Sequence, residues 1–212
     1  GYAAQAGGGL LFSASQQSAA LANALAVTGS QLDAPTLAIA GNTASALNAR
    51  GGALVANSVA LENGSGAPSQ LSAGGSLVGN TARDMGTTAD SVSGAGGLAS
   101  RESRARAAAN ALVLHDGALV DASSPWLVAG NTAREVQAPG GTALVNTLAA
   151  YRSARVQGTP VVIAGNTAQD IRAAGSGAQA LGIGAKSNGV LAANGLYMDG
   201  SGATALSRST LQ

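Results

Sequence analysis

Short apolar runs that halt at a polar residue recur along the chain. Leu37-Ala38-Ile39-Ala40, Leu77-Val78, Leu127-Val128-Ala129 and Val161-Val162-Ile163-Ala164 each lead into the same tetrapeptide, Gly-Asn-Thr-Ala, which begins at Gly41, Gly79, Gly130 and Gly165. A second unit starts at Gly51-Gly52-Ala53-Leu54, Gly96-Gly97-Leu98 and Gly140-Gly141-Thr142-Ala143, and ends on a polar residue at Asn57, Arg101 and Asn146. Apolar runs this short, bounded by Gly, have the length of strands and lack the three- and four-residue spacing of helices.

The end positions form one column: Asn42, Asn57, Asn80, Arg101, Asn131, Asn146 and Asn166. Val113-Leu114-His115-Asp116 has the same shape and splits the longest step, while Asn23 and Asn194 extend the column in both directions. This spacing predicts about ten coils of roughly 15–23 residues. Helical-pair solenoids need a longer unit, and leucine-rich repeats need several Leu at fixed offsets that are absent here. The predicted fold is all-β, a parallel β-helix. Gly41, Gly79, Gly130 and Gly165 supply left-handed corners, and Asn42, Asn80, Asn131 and Asn166 stack their amides in a ladder down the axis.

Residues 1–30 are expected to form an amino-terminal cap or irregular first coil, with Ser13–Ala26 as a short helix or irregular coil, and residues 31–212 the solenoid. Leu98–Leu114, rich in Ala and Arg, is read as a strand plus an outward loop.

Composition narrows the classes. The 212 residues hold 31 Gly, 2% aromatics and 10% charged residues, against about 25% charge in an ordinary soluble domain. A typical two-layer enzyme is disfavoured. Mean hydropathy of +0.20 with a net charge of +1 excludes the disordered class. Collagen lacks its strict Gly period here, and no apolar run is long enough for a membrane span. A narrow coil interior accounts for the five aromatics, Tyr2, Phe12, Trp126, Tyr151 and Tyr197. Gly1–Leu11 lacks the basic start and apolar core of a signal peptide.

Candidate chemistry is sparse. Eleven basic against ten acidic residues give no nucleic-acid footprint, and Arg101, Arg104 and Arg106 sit with Glu102 in what reads as a solvated patch. Without Cys there is no disulfide or thiolate chemistry. His115-Asp116 is the sole His–carboxylate pair, and a triad would draw on Ser123 or Ser124; a solvated His in a loop is the commoner case. Asp84 and Asp90 fit a polar turn. The Gly-Gly-x-Gly-x-Asp calcium repeat is absent, and the recurring Thr of Gly-Asn-Thr-Ala lacks the Thr-x-Thr pairing of a flat ice-binding face. No catalytic residue, metal ligand set or cofactor is expected. Trp126 and Tyr151 are the candidate contact residues, and for Trp126, after Pro125 at a corner, wall sealing competes with contact.

The alternation of apolar-x-x-Asn with Gly-Gly-Ala-apolar resembles the paired motifs F-x-x-N and G-G-A-[I/L/V] of the polymorphic outer-membrane proteins and, more broadly, of autotransporter passenger domains. Ile39-Ala40-Gly41-Asn42 followed by Gly51-Gly52-Ala53-Leu54, and Ile163-Ala164-Gly165-Asn166, match best, and the likeness spans about Leu37 to Ala180. Ile39, Leu77, Val128 and Ile163 stand where that family has Phe. The resemblance implies a right-handed β-helix, export to a bacterial cell surface, and a role in adhesion or display toward a surface receptor or a glycan; the self-complementary edges of a coil stack add a second copy as partner, in a fibre. No translocator barrel of alternating aromatic strands is read in these residues, which fits a passenger fragment, a cleaved product or a relative sharing the coil grammar. A divergent glycan-active β-helix enzyme, a lyase or hydrolase, is the alternative. It would gather carboxylates or basic residues in one cleft.

Overall fold

A computed structural model describes residues 19–50, 53–63, 67–88, 106–122, 124–138, 142–151, 153–173, 190–199 and 208–211. Every regular element among them is a strand. A first pass comprises β1 (Ala19–Ala22), β2 (Leu25–Thr28), β3 (Gln31–Ala40) and β4 (Thr43–Arg50). A second has β5 (Ala53–Ala56), β6 (Val59–Glu62), β7 (Gln70–Val78) and β8 (Thr81–Thr88). In the third, β9 (Arg106–Ala109) and β10 (Leu112–His115) precede two shorter strands, β11 (Leu119–Asp121) and β12 (Trp126–Ala129), and then β13 (Thr132–Gln137). The fourth repeats that plan with β14 (Thr142–Val145), β15 (Leu148–Tyr151), β16 (Arg155–Gln157), β17 (Pro160–Ala164) and β18 (Thr167–Arg172). A fifth supplies β19 (Val190–Ala193), β20 (Leu196–Asp199) and β21 (Arg208–Leu211).

Four sheets collect these strands in cyclic order. Sheet A runs β1-β5-β9-β14-β19 and sheet B β2-β6-β10-β15-β20. Sheet C joins β3 to β7, which pairs with both β11 and β12, and these continue to β16 and to β17 and β21; sheet D runs β4-β8-β13-β18. All the pairings are parallel, as when each strand lies on the equivalent strand of the previous pass.

This register corrects the expected coil count. Ala19, Ala53, Arg106, Thr142 and Val190 are successive register partners, so one pass takes 34, 53, 36 or 48 residues by their numbers. There are four passes and most of a fifth among the described residues, because each pass turns two Asn corners and the 15–23-residue spacing counted both. Of Ser13–Ala26, expected as a short helix or irregular coil, residues 19–22 and 25–26 are strand and pair in sheets A and B, and 13–18 lie outside the described residues. Of Leu98–Leu114, residues 106–109 and 112–114 are strand and Asn110-Ala111 joins them; Arg101 and the rest of 98–105 lie outside the described residues.

Alternate side chains fill the interior. Sheets B and C close over Leu61, Leu71, Leu77, Leu114, Val128 and Ile163, and sheets A and D over Leu47, Leu54, Met85, Val136 and Val145. Each such side chain contributes roughly 1.5–3 kcal/mol by leaving water. Val55, Ala60, Val113, Leu144 and Ala149 form a third buried cluster. They alternate with interior residues, so the inner strands of sheets A and B, such as β5, β6 and β10, are buried on both faces. The outermost strands are more open: β3 and β18 contain no fully buried residue, whereas β7 alternates buried and half-buried positions.

Candidate functional site

The recurring asparagines divide into two ladders. In the first, between sheets A and B, Asn23 Nδ2 donates to Asn57 Oδ1 at 3.0 Å, Asn57 to Asn110 at 3.0 Å, Asn110 to Asn146 at 2.8 Å and Asn146 to Asn194 at 2.8 Å. In the second, between sheets C and D, Asn42 Nδ2 donates to Asn80 Oδ1 at 3.3 Å, Asn80 to Asn131 at 3.1 Å and Asn131 to Asn166 at 3.0 Å. The ladders are tied together. Asn57, Asn110 and Asn146 use the same Nδ2 to reach the carbonyl oxygens of Thr81, Thr132 and Thr167, at 2.9, 3.1 and 2.9 Å, each the Thr of a Gly-Asn-Thr-Ala unit. These bonds pin opposite corners of one pass together through its middle.

The two ladders solve the corner differently, which explains their different sequences. In the first, the asparagines themselves take φ between 49° and 53°. In the second, the preceding Gly41, Gly79, Gly130 and Gly165 take φ between 61° and 67°, an angle that is costly for a residue with a Cβ. The Asn that follows is left free to receive its neighbour's backbone N–H as well, as Asn131 Oδ1 does from Asn80 at 2.9 Å. Asn110 was not among the expected ladder residues. Asp116, which was, turns a different corner at φ 52°, after β10.

Trp126 is fully buried and donates Nε1 to the carbonyl oxygen of Ala73 at 2.9 Å. That corrects its candidacy as a contact residue and leaves the wall-sealing role. Tyr151 closes β15, a strand of a different sheet, and its side chain lies outside the described residues. The Thr residues of Gly-Asn-Thr-Ala are immediate register partners: Thr43, Thr81, Thr132 and Thr167 form one column in sheet D, with Ser45, Arg83, Arg134 and Gln169 two positions on.

A groove of about 610 Å³ opens on sheet C. It forms because the strands flanking Ser72–Gly74 leave the ladder together. On one side the register of β3 shifts between Asp33 and Thr36; on the other, β11 ends at Asp121 and β12 begins at Trp126. Asp33, Ser72, Asp121 and Ser124 give the groove its polar wall, and Ala34 and Pro35 part of its apolar one. Ser72 pairs with Asp33, and β11 on its other side ends at Asp121. The backbones of Asp33 and Asp121 are therefore about two strand spacings, roughly 10 Å, apart. Gln157 Nε2 donates to Asp121 Oδ2 at 3.1 Å. Nothing in sequence spacing links residues 33 and 121; only the register does.

His115 is not in an exposed loop. It is the buried last residue of β10, its Nδ1 lies 2.8 Å from Asp116 Oδ2, and its register partner on β6 is the buried Glu62. Ser124 belongs to the sheet C groove, and Ser123 lies outside the described residues. Glu62 was missed, although a signal exists. Five residues after each first-ladder asparagine stand Thr28, Glu62, His115, Tyr151 and Asp199, a polar column at the exit of sheet B.

No protein-family model, curated protein or solved structure matches this chain.

Proposed function

We propose that the four-sheet winding is a right-handed parallel β-helix, part of a bacterial surface-exposed or secreted protein that acts without catalysis in adhesion or display, or as a structural fibre component. The pair of tied asparagine ladders carries this reading. Most of the amide chemistry that the chain repeats is spent inside the stack, on holding successive passes in register. Right-handedness follows from the crossover preference of twisted parallel strands, and the surface role from the motif resemblance to autotransporter passengers.

A second reading has one specific observation in its favour. Asp33 and Asp121 share the sheet C groove, on the two strands that flank β7, and a pair of carboxylates in one groove is what a glycosidase uses, so a glycan-active lyase or hydrolase is the competing function. Both are tested by incubating the full chain with a panel of acidic and neutral polysaccharides, following reducing ends and unsaturated products, and measuring its retention on immobilised glycans and on cells. We expect saturable retention with no product. Turnover lost in Asp33→Asn or Asp121→Asn would establish the enzyme instead.

A further inference from the structure

We propose that Glu62, His115 and Asp116 form a binding site for one divalent transition-metal ion of the zinc class. Each offers one ligand atom, and these atoms lie within 4.8 Å of one another. Two are already neighbours: His115 Nδ1 and Asp116 Oδ2 are 2.8 Å apart, a hydrogen-bond separation that opens by roughly 0.5–0.8 Å around a tetrahedral ion with bonds of about 2.0–2.2 Å. The Glu62 carboxylate lies within 4.8 Å of both, within reach of an ion held between them after a movement at the end of its side chain.

The backbone places these donors by two devices. Glu62 and His115 are register partners on adjacent parallel strands, which fixes their separation at the strand spacing of about 4.8 Å. His115 and Asp116 are consecutive, and in an extended strand their side chains would point to opposite faces. At Asp116 the chain turns with φ 52°, and the two side chains meet on one side. Gly117 continues that turn at φ 80°, so the corner is a fixed bend and not a strand that happens to fray there.

Burial and donor chemistry select the ion. Glu62 is 3% exposed and His115 6%, while the Asp116 side chain is 31% exposed and forms the open side. Coordination takes both carboxylates deprotonated and the imidazole neutral, and a divalent cation balances those two negative charges in a place where water does so poorly. The imidazole nitrogen favours zinc, cobalt, nickel or copper over calcium and magnesium, which prefer all-oxygen shells. For Nδ1 to coordinate, the imidazole carries its proton on Nε2. Three protein donors leave a fourth position for water. This site is on sheet B, apart from the sheet C groove, and stands whether or not the adhesion reading does.

The chain contains one His and no Cys, so any imidazole signal reports on His115 alone. The test titrates the full chain with zinc chloride, by calorimetry and by NMR of the imidazole, and repeats the titration in excess calcium. We expect saturation at one zinc per chain, a shifted imidazole resonance, and no displacement by a hundredfold excess of calcium. His115→Gln should abolish binding and Glu62→Gln should weaken it at least tenfold. Asp116→Asn, at a half-exposed position, should keep the native circular dichroism and melting temperature while also losing at least tenfold in affinity. Absence of saturable binding up to millimolar zinc, an imidazole resonance that does not move, displacement by calcium, or unchanged affinity in Asp116→Asn would each overturn the proposal and leave a hydrogen-bonded His–carboxylate cluster.

Discussion

The indole of Trp126 occupies the space that a side chain at Gly75 would need. A Cβ at that position would lie 2.6 Å from the ring and 2.7 Å from the carbonyl oxygen of Leu37. Gly75 and Trp126 are register partners on β7 and β12, so the sole Trp packs across the strand beside it, and its Nε1 finds Ala73 O two residues earlier. Only a glycine at 75 permits this seal. Gly75→Ala should therefore destabilise the chain by about 1–3 kcal/mol, read as a lower midpoint in chemical denaturation. An unchanged midpoint would mean that the ring packs elsewhere.

The same burial has an optical consequence. Trp126 has no solvent exposure, so native emission should be blue-shifted and resistant to iodide quenching, and should move to the red on unfolding. Trp126→Phe, which strands the Ala73 carbonyl as well as losing ring volume, should cost about 1–3 kcal/mol.

Ladder asparagines should be far more sensitive than exposed amides. Asn131 sits mid-ladder. It donates to Leu77 O at 2.7 Å and to Asn166 Oδ1 at 3.0 Å, and accepts from both Asn80 nitrogens. Asn131→Ala removes all of these and leaves buried groups without partners, at about 1–3 kcal/mol for each. Exposed Gln169 on sheet D is the comparison, and Gln169→Ala should fall within about 0.5 kcal/mol of the parent. Asn63 would not serve as an inert control, because its Oδ1 accepts the Ser69 backbone N–H at 2.6 Å. Equal melting temperatures for Asn131→Ala and Gln169→Ala would remove the ladder from the stability of the fold.

Association is expected at the ends of the stack. Leu191 on β19 is 52% exposed and Leu21 on β1 37%, both in sheet A and in its two outermost strands among the described residues, and an outer parallel strand offers backbone groups to another copy. Mass photometry and sedimentation over a concentration series should show association that Leu191→Asp reduces. A monomer at every concentration would exclude it.

Much of this architecture was legible because Gly-Asn-Thr-Ala is identical in four passes, and its corner needs a Gly at positive φ with an Asn beside it. The period was not legible, because a second ladder with another solution interleaves with the first. Its corner uses positive φ at Asn itself, so no Gly precedes it, and at Asn110 the approach is Ala107-Ala108-Ala109, which carries little hydropathy signal. Asp116 mimicked a ladder residue for a physical reason: it too turns a corner in the left-handed region. The groove at Asp33 and Asp121 and the meeting of Glu62 with His115 depend on which strands lie side by side across 53 to 88 residues of sequence, by their numbers, and local pattern holds no trace of that.

The winding itself is tested most directly by cross-linking, since the chain has no Cys to interfere. Arg83 and Arg134 are exposed register partners on β8 and β13, with Cα atoms about 4.8 Å apart, inside the range a disulfide spans. Gln169 is Arg134's partner on the next strand, about 10 Å from Arg83. Arg83→Cys with Arg134→Cys should oxidise to an intramolecular disulfide in the native state, while Arg83→Cys with Gln169→Cys should not. Failure of the first pair, or equally ready closure of both, would contradict the stacking of one pass on the next.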